Sequence, residues 1–352
     1  MKIGGKIFLL CFLCACSVKS EKNKVKLESY AKYGDFFVFA DESILDDRTK
    51  QTFLEIFSKK EDNLLPPKPN KYLPRFLALN QLGNYSRRYF NSIVLLDEKT
   101  KNSFLAMFPQ NRAMQIKKKL SDQKSLGIVL KDLWAKPQKI LIIYEKNKAS
   151  LRRKLIALGE EIFDYVEFSE LTLGEEKMFP QGKPNNPSYK SMKNQRKFAL
   201  PLHPYYRLAI NNPEMIWCRR NSKKMDYAIC IYEEPYRSEE QLKVGYIKKL
   251  RNQKTKKFLH GQLPNTYVEI DSTIPISIKK ETFRGLPTIK IKGWWSMKND
   301  FMAGPFFTRT ILDKKNHRVV TIDGHLYGPQ IGNKINYLRE LEVYINTFEP
   351  SL

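Results

Sequence analysis

Residues able to do chemistry crowd into one segment, 293–327. It holds Trp294 and Trp295, then Asp300, then Asp323, His325 and Tyr327. Asp323 and His325 stand two apart, and on a strand such residues share a face. They could act as an acid/base pair. Trp294, Trp295 and Tyr327 could then wall a pocket suited to a sugar or peptide. The competing reading is a sheet whose aromatics are core and whose Asp323-Gly324 step is a turn or bulge. It carries more weight, because aromatics fill cores more often than they line sites. Asp313 and His317 offer a weaker pair of the same kind. No Ser or Cys sits in a G-x-S-x-G elbow, and the four His lack H-E-x-x-H or similar zinc spacing. No Gly-rich phosphate loop is present. The residues therefore name no catalytic group beyond the Asp323 and His325 candidates, no metal and no cofactor.

The amino-terminal residues speak of address rather than reaction. Lys2 and Lys6 flank the start of a short apolar run, residues 7–13. That run is too short for a bilayer, which takes about 20 residues. Leu13-Cys14-Ala15-Cys16 closes it, the layout of a lipoprotein signal. The expectation is a signal peptide over residues 1–15, a lipid thioether and acyl chains such as palmitate on Cys16, and a polar tether over 16–30. Each buried CH₂ contributes about 0.8 kcal/mol, so two or three chains anchor stably where one does not. This places the chain in the cell envelope, at the outer membrane, held to it by lipid.

Composition narrows the partners. Cleavage after Ala15 would leave 337 of the 352 residues, enough for about two domains or one large α+β domain. The whole chain has 62 Lys and Arg against 37 Asp and Glu, a net charge of +25. Only 17 of the 62 are Arg, and they are scattered. Arg is the preferred fork for phosphate, and export separates the chain from DNA, so nucleic acid is excluded as a partner. An envelope protein, an anionic polymer or anionic lipid head groups fit the charge better. Of five Cys, three lie in the signal region, leaving Cys218 and Cys230. They sit on what read as paired strands, 215–220 and 227–233. A disulfide forms if the register sets them opposite; otherwise they are two buried thiols on one hairpin.

These residues need elements to position them. Apolar runs predict strands at 35–40, 76–82, 91–96 and 139–144 in an N-terminal half, 31–170. Leu151, Leu155, Leu158 and Ile162 predict an amphipathic helix. Residues 171–198, rich in Pro, Lys and Asn, read as a linker. A C-terminal half, 199–352, shows strands at 215–220, 227–233, 266–270, 288–294, 306–312 and 318–326. A capping box, Ser238-x-x-Gln241, opens a helix, and another helix spans 334–348. The class is α+β, with mostly antiparallel sheet and packed helices. The similar element order of the two halves hints at duplication.

Several segments together resemble a known family. They are Cys16 with its preceding residues, Trp134–Gln138, Ile231–Tyr236, and Arg251-Asn252 before His260-Gly261 and Tyr267-Val268-Glu269. Residues 293–306, Leu326-Tyr327-Gly328-Pro329 and Leu338-Arg339-Glu340-Leu341-Glu342 complete the set. Across most of the mature chain this is similar to the Bacteroidota lipoproteins grouped as domain of unknown function 4837. Lys292 stands where that pattern has Arg before Gly-x-Trp, and Ala303 replaces a Gly. The resemblance implies an envelope lipoprotein and supplies no catalytic residues. The reading that follows is a lipid-anchored binding or assembly module without enzymatic activity. The alternative is an envelope hydrolase or glycan-binding protein using Trp294, Asp323 and His325.

Overall fold

The computed structural model describes residues 26–61, 64–121, 126–184 and 187–351. The expected signal peptide, Cys16 and the tether up to residue 25 lie outside the described residues. The rest of the tether is docked rather than free: Tyr30 N–H donates to the Arg88 carbonyl at 2.8 Å and Ser29 N–H to that of Lys136 at 3.1 Å.

The first half runs β1 (Asp35–Ala40), α1 (Asp47–Ile56), β2 (Leu73–Ala78), α2 (Asn84–Arg87), β3 (Asn91–Leu96), α3 (Lys101–Leu105), α4 (Gln110–Ser121), β4 (Ile128–Lys131), β5 (Lys139–Tyr144), α5 (Lys148–Ala157) and α6 (Gly159–Met178). Its sheet has the order β2-β1-β3-β5-β4, parallel except for β4 at one edge. Every residue of β1 and β3 is buried, as expected of parallel strands covered on both faces. Phe36, Val38, Ile93 and Leu141 pack against Phe53, Leu151, Leu155 and Ile162 on one side. Phe39, Val94 and Ile140 meet Phe104, Ile116 and Leu120 on the other. Asp46 starts α1 by accepting the Thr49 N–H at 2.8 Å.

The second half runs α7 (Pro187–Arg196), β6 (Arg207–Asn212), β7 (Met215–Asn221), β8 (Asp226–Pro235), α8 (Val244–Phe258), β9 (Tyr267–Ile270), β10 (Ser277–Phe283), β11 (Leu286–Lys298), β12 (Ala303–Asp313), β13 (Arg318–Tyr327) and α9 (Ile335–Asn346). Eight strands form one antiparallel sheet in the order β10-β11-β12-β13-β8-β7-β6, with β9 also on β11. Leu338, Leu341 and Ile345 of α9 cover one face, against Ile216, Ile229, Phe307 and Ile322. Ile247 of α8 joins the core on the other, with Cys230, Tyr232, Trp295 and Phe306. The α+β class holds, and the larger sheet is antiparallel as expected. The hint of two similar halves fails, because one sheet is mostly parallel and the other antiparallel.

The linker expected at 171–198 is also corrected. α6 continues through Met178, and α7 occupies 187–196. The reason is packing between helices. Leu173 and Gly174 are buried, and a Cβ at Gly174 would lie 2.7 Å from Val343 of α9. Only glycine allows that approach, and through it α6 clamps the two halves together. Among the described residues, no helix is long and apolar enough to cross a membrane.

Candidate functional site

Strand alternation sorts the residues singled out by sequence. β13 lies between β12 and β8, and Asp323, His325 and Tyr327 all point to its α8 face. Trp295 shares that face. Its ring lies 5.5 Å from His325 and 6.2 Å from Tyr327, and its indole N–H donates to the Leu326 carbonyl at 3.1 Å. Trp294 points the other way, into the core beneath α9. The structure thus gathers four of the five candidates and separates the fifth.

What they form is an interior cluster rather than a cleft. Asp323 is fully buried, His325 is 7% exposed, and α8 lays Arg251 over them. The Arg251 guanidinium sits 4.0 Å above the Phe306 ring, and its Nε lies 3.1 Å from the Asp323 carboxylate. This is a charge contact without a well-aimed hydrogen bond. Burial raises the Asp323 carboxyl above its ordinary range despite Arg251. Burial, with Arg251 and Arg219 nearby, pushes His325 down to about 3. The imidazole is therefore neutral, and neither group faces solvent from which a substrate could arrive.

Cys218 and Cys230 are free thiols. Register explains why: Cys218 pairs with Ile229, and Cys230 with Trp217. The two cysteines are one place out of step, so their side chains emerge on opposite faces of the sheet. Cys218 joins the α9-side core and Cys230 the α8-side core. The disulfide considered from sequence is thereby excluded.

An open site lies elsewhere, where the halves meet. A cleft of about 110 Å³ is lined by Lys71, Glu167 and Leu171 from the first half. Ser277, Lys279, Glu281, Lys290, Lys292, Arg309 and Glu342 line it from the second. Five cations thus face three carboxylates. β10, β11 and β12 place Lys279, Lys290, Lys292 and Arg309 by alternation on the α9 side, together with Glu281 of β10, while α6 and α9 supply Glu167 and Glu342.

The floor of this cleft is a buried ion network. Arg339 of α9 is fully buried; it donates from Nε to Glu170 and from Nη1 to Glu342, both at 2.7 Å, and also contacts the Tyr72 hydroxyl. Lys290 donates to Glu342, and Lys292 to Glu61 at 2.6 Å. Arg309 Nε donates to Glu281 at 2.8 Å, while its Nη1 has no protein partner. Burial works to raise Glu342, yet Lys290, Lys292 and Arg339 hold it well below the usual carboxylate range. Burial lowers Lys290 to about 8, Glu342 opposing and Lys292 adding to the shift. Lys292 moves up, since Glu342 and Glu61 outweigh its burial. Burial leaves Glu170 raised in spite of Arg339.

Sequence reasoning missed this site because its residues run from Lys71 to Glu342 and no spacing links them. Two signals were present: Lys292 before Gly293, and the charges of Arg339 and Glu342, three apart among the apolar residues of a helix. Charges spaced so as to lie on a buried helix face need partners. Among the described residues, no three His, Cys, Asp or Glu gather as a metal-binding group.

No curated protein matches the chain. The family match is narrower than the resemblance read from sequence, and it leaves the parallel sheet and the Trp134–Gln138 segment outside. Residues 185–347, a stretch that spans the antiparallel sheet, α8 and α9, match the model of a family described as a domain of unknown function (DUF4837).

Proposed function

We propose that this protein is a lipid-anchored component of the cell envelope, and that its folded part is a non-enzymatic binding module with its ligand seat in the cleft between the halves. The observation that carries this reading is the lining of the cleft. Both halves contribute, five cations face three carboxylates, and Arg309 keeps a donor nitrogen unused. The cationic majority favours a ligand bearing carboxylate or phosphate, on an envelope protein or an anionic polymer. Charge-assisted hydrogen bonds would hold it. The Lys2–Cys16 segment supports the anchor. The hydrolase alternative is weaker, since Asp323 and His325 lie sealed under α8 and Trp294 faces away from them.

Calorimetric titration of the full chain with inorganic phosphate and with citrate tests the seat. Saturable heat is expected, with affinity falling at least tenfold in Lys279→Glu, an exposed position whose change leaves the fold intact. No binding of either anion overturns the seat. The anchor is tested separately: Cys16→Ser should abolish acyl labelling and retention in membranes. An unlabelled wild-type chain overturns it.

A further inference from the structure

We infer that the β11–β12 hairpin tip, together with the loop before β9, forms a second contact with the membrane, dipping apolar side chains into an anionic lipid surface. Phe301 stands at the tip, with 105% relative exposure. Leu263, on the neighbouring loop, is 57% exposed. The two loops are tied side by side. Asn299 donates from its side chain to the Asn265 carbonyl at 3.1 Å, and Lys298 pairs with Tyr267 across β11 and β9. Each apolar residue lies two positions from its loop's partner in that hydrogen bond. Other exposed apolar side chains, such as Ile156 and Met114, are more covered than Phe301.

A lone exposed apolar residue needs no explanation. This pair differs because two cations flank it, while the one carboxylate at the tip, Asp300, is turned back to accept the Phe301 N–H at 2.7 Å. Lys298 precedes the tip, and Lys256 lies 4.8 Å above the Tyr267 ring that the same strand pair positions. Both lysines are exposed, and neither is paired with a carboxylate among the described residues. Lysine stems can lie along an apolar surface while their heads stay in water. Apolar side chains rimmed by lysine are what an anionic bilayer interface takes up. The charge complementarity commits the occupant to lipid rather than to a basic protein. The inference draws support from the proposed anchor, which would keep the tip near a bilayer, but the contact itself is separate chemistry.

The test places a reporter at the tip. The full chain carrying Phe301→Trp is mixed with vesicles of phosphatidylcholine and phosphatidylglycerol whose acyl chains are brominated. The emission added over wild type should fall at least twofold relative to unbrominated vesicles and shift to the blue. Lys256→Glu with Lys298→Glu should remove most of that quenching, as should neutral vesicles in high salt. Added emission that stays unquenched in anionic vesicles overturns the inference. Flotation of the Cys16→Ser chain separates the two claims, because losing the anchor removes stable flotation while tip quenching persists with vesicles in excess.

Discussion

His325 offers a measurement in which burial sets both sign and size. The folded chain holds its imidazole neutral, with a pKa pushed from 6.5 to about 3. The unfolded chain protonates it at its ordinary value. Between those two values the unfolded state binds the extra proton, so stability falls as pH falls. The contribution is fully present above pH 6.5, is lost progressively below it, and levels off near pH 3. Each pH unit inside the window is worth about 1.4 kcal/mol. From pH 7.5 to 4.5 the loss from this residue is therefore about 3 kcal/mol. His325→Gln removes the titration while keeping a polar side chain of similar size. Urea unfolding of both proteins across that range isolates the effect, since every other group titrates in both. Wild type should lose about 3 kcal/mol more than the variant, whatever their stabilities at pH 7.5. Parallel curves within about 0.5 kcal/mol would refute the sealed cluster, because a hydrated imidazole titrates alike in both states.

Four further outcomes follow from the same structure. Arg339→Met strands the buried carboxylates of Glu170 and Glu342, and should cost about 3–5 kcal/mol in denaturant unfolding. Lys279→Gln, at an exposed rim position, should cost under about 0.5 kcal/mol. A Cβ at Gly304 would lie 2.0 Å from the Leu326 carbonyl oxygen, a backbone atom held in the sheet. Gly304→Ala should therefore destabilise by about 1–3 kcal/mol, read as a fall in Tm. Cys218 and Cys230 should resist a thiol reagent in the folded chain and both react once it unfolds, and reductant should leave the intact mass unchanged. Cys218 in particular is buried and raised to about 12 by that burial.

Local pattern carried a good part of the fold. The runs at 35–40, 91–96 and 139–144 are strands with those boundaries. The hairpin from β12 to β13 turns at Asp313–His317 as its residues imply, with His317 in the left-handed region. The Ser238–Gln241 box is present but caps a short 3-10 turn, and α8 begins only at Val244. The predicted helix through Leu151 and Ile162 breaks at Leu158, where α5 ends and α6 begins. The pairing of the first sheet was harder to read. A wholly buried strand such as β1 has no alternation to show which neighbours it takes, though its unbroken apolar character is itself the mark of a parallel sheet.

The candidate site divides in the same way. Spacing alone put Asp323 and His325 on one face, because side-chain direction along a strand is a local property. Spacing could not say that α8 would close over that face, nor that Trp294 would take the opposite side. It could not place Cys218 and Cys230 either, since a register shift of one residue sends a side chain through the sheet. By itself the sequence determined the α+β class, most strand positions, the excess of basic charge and the expectation of a lipidated cysteine. Only the tertiary structure decided which charges meet. Lys71, Glu167, Lys290, Arg309 and Glu342 acquire their chemistry through the packing of α6 on α9, a long-range contact that no local pattern encodes.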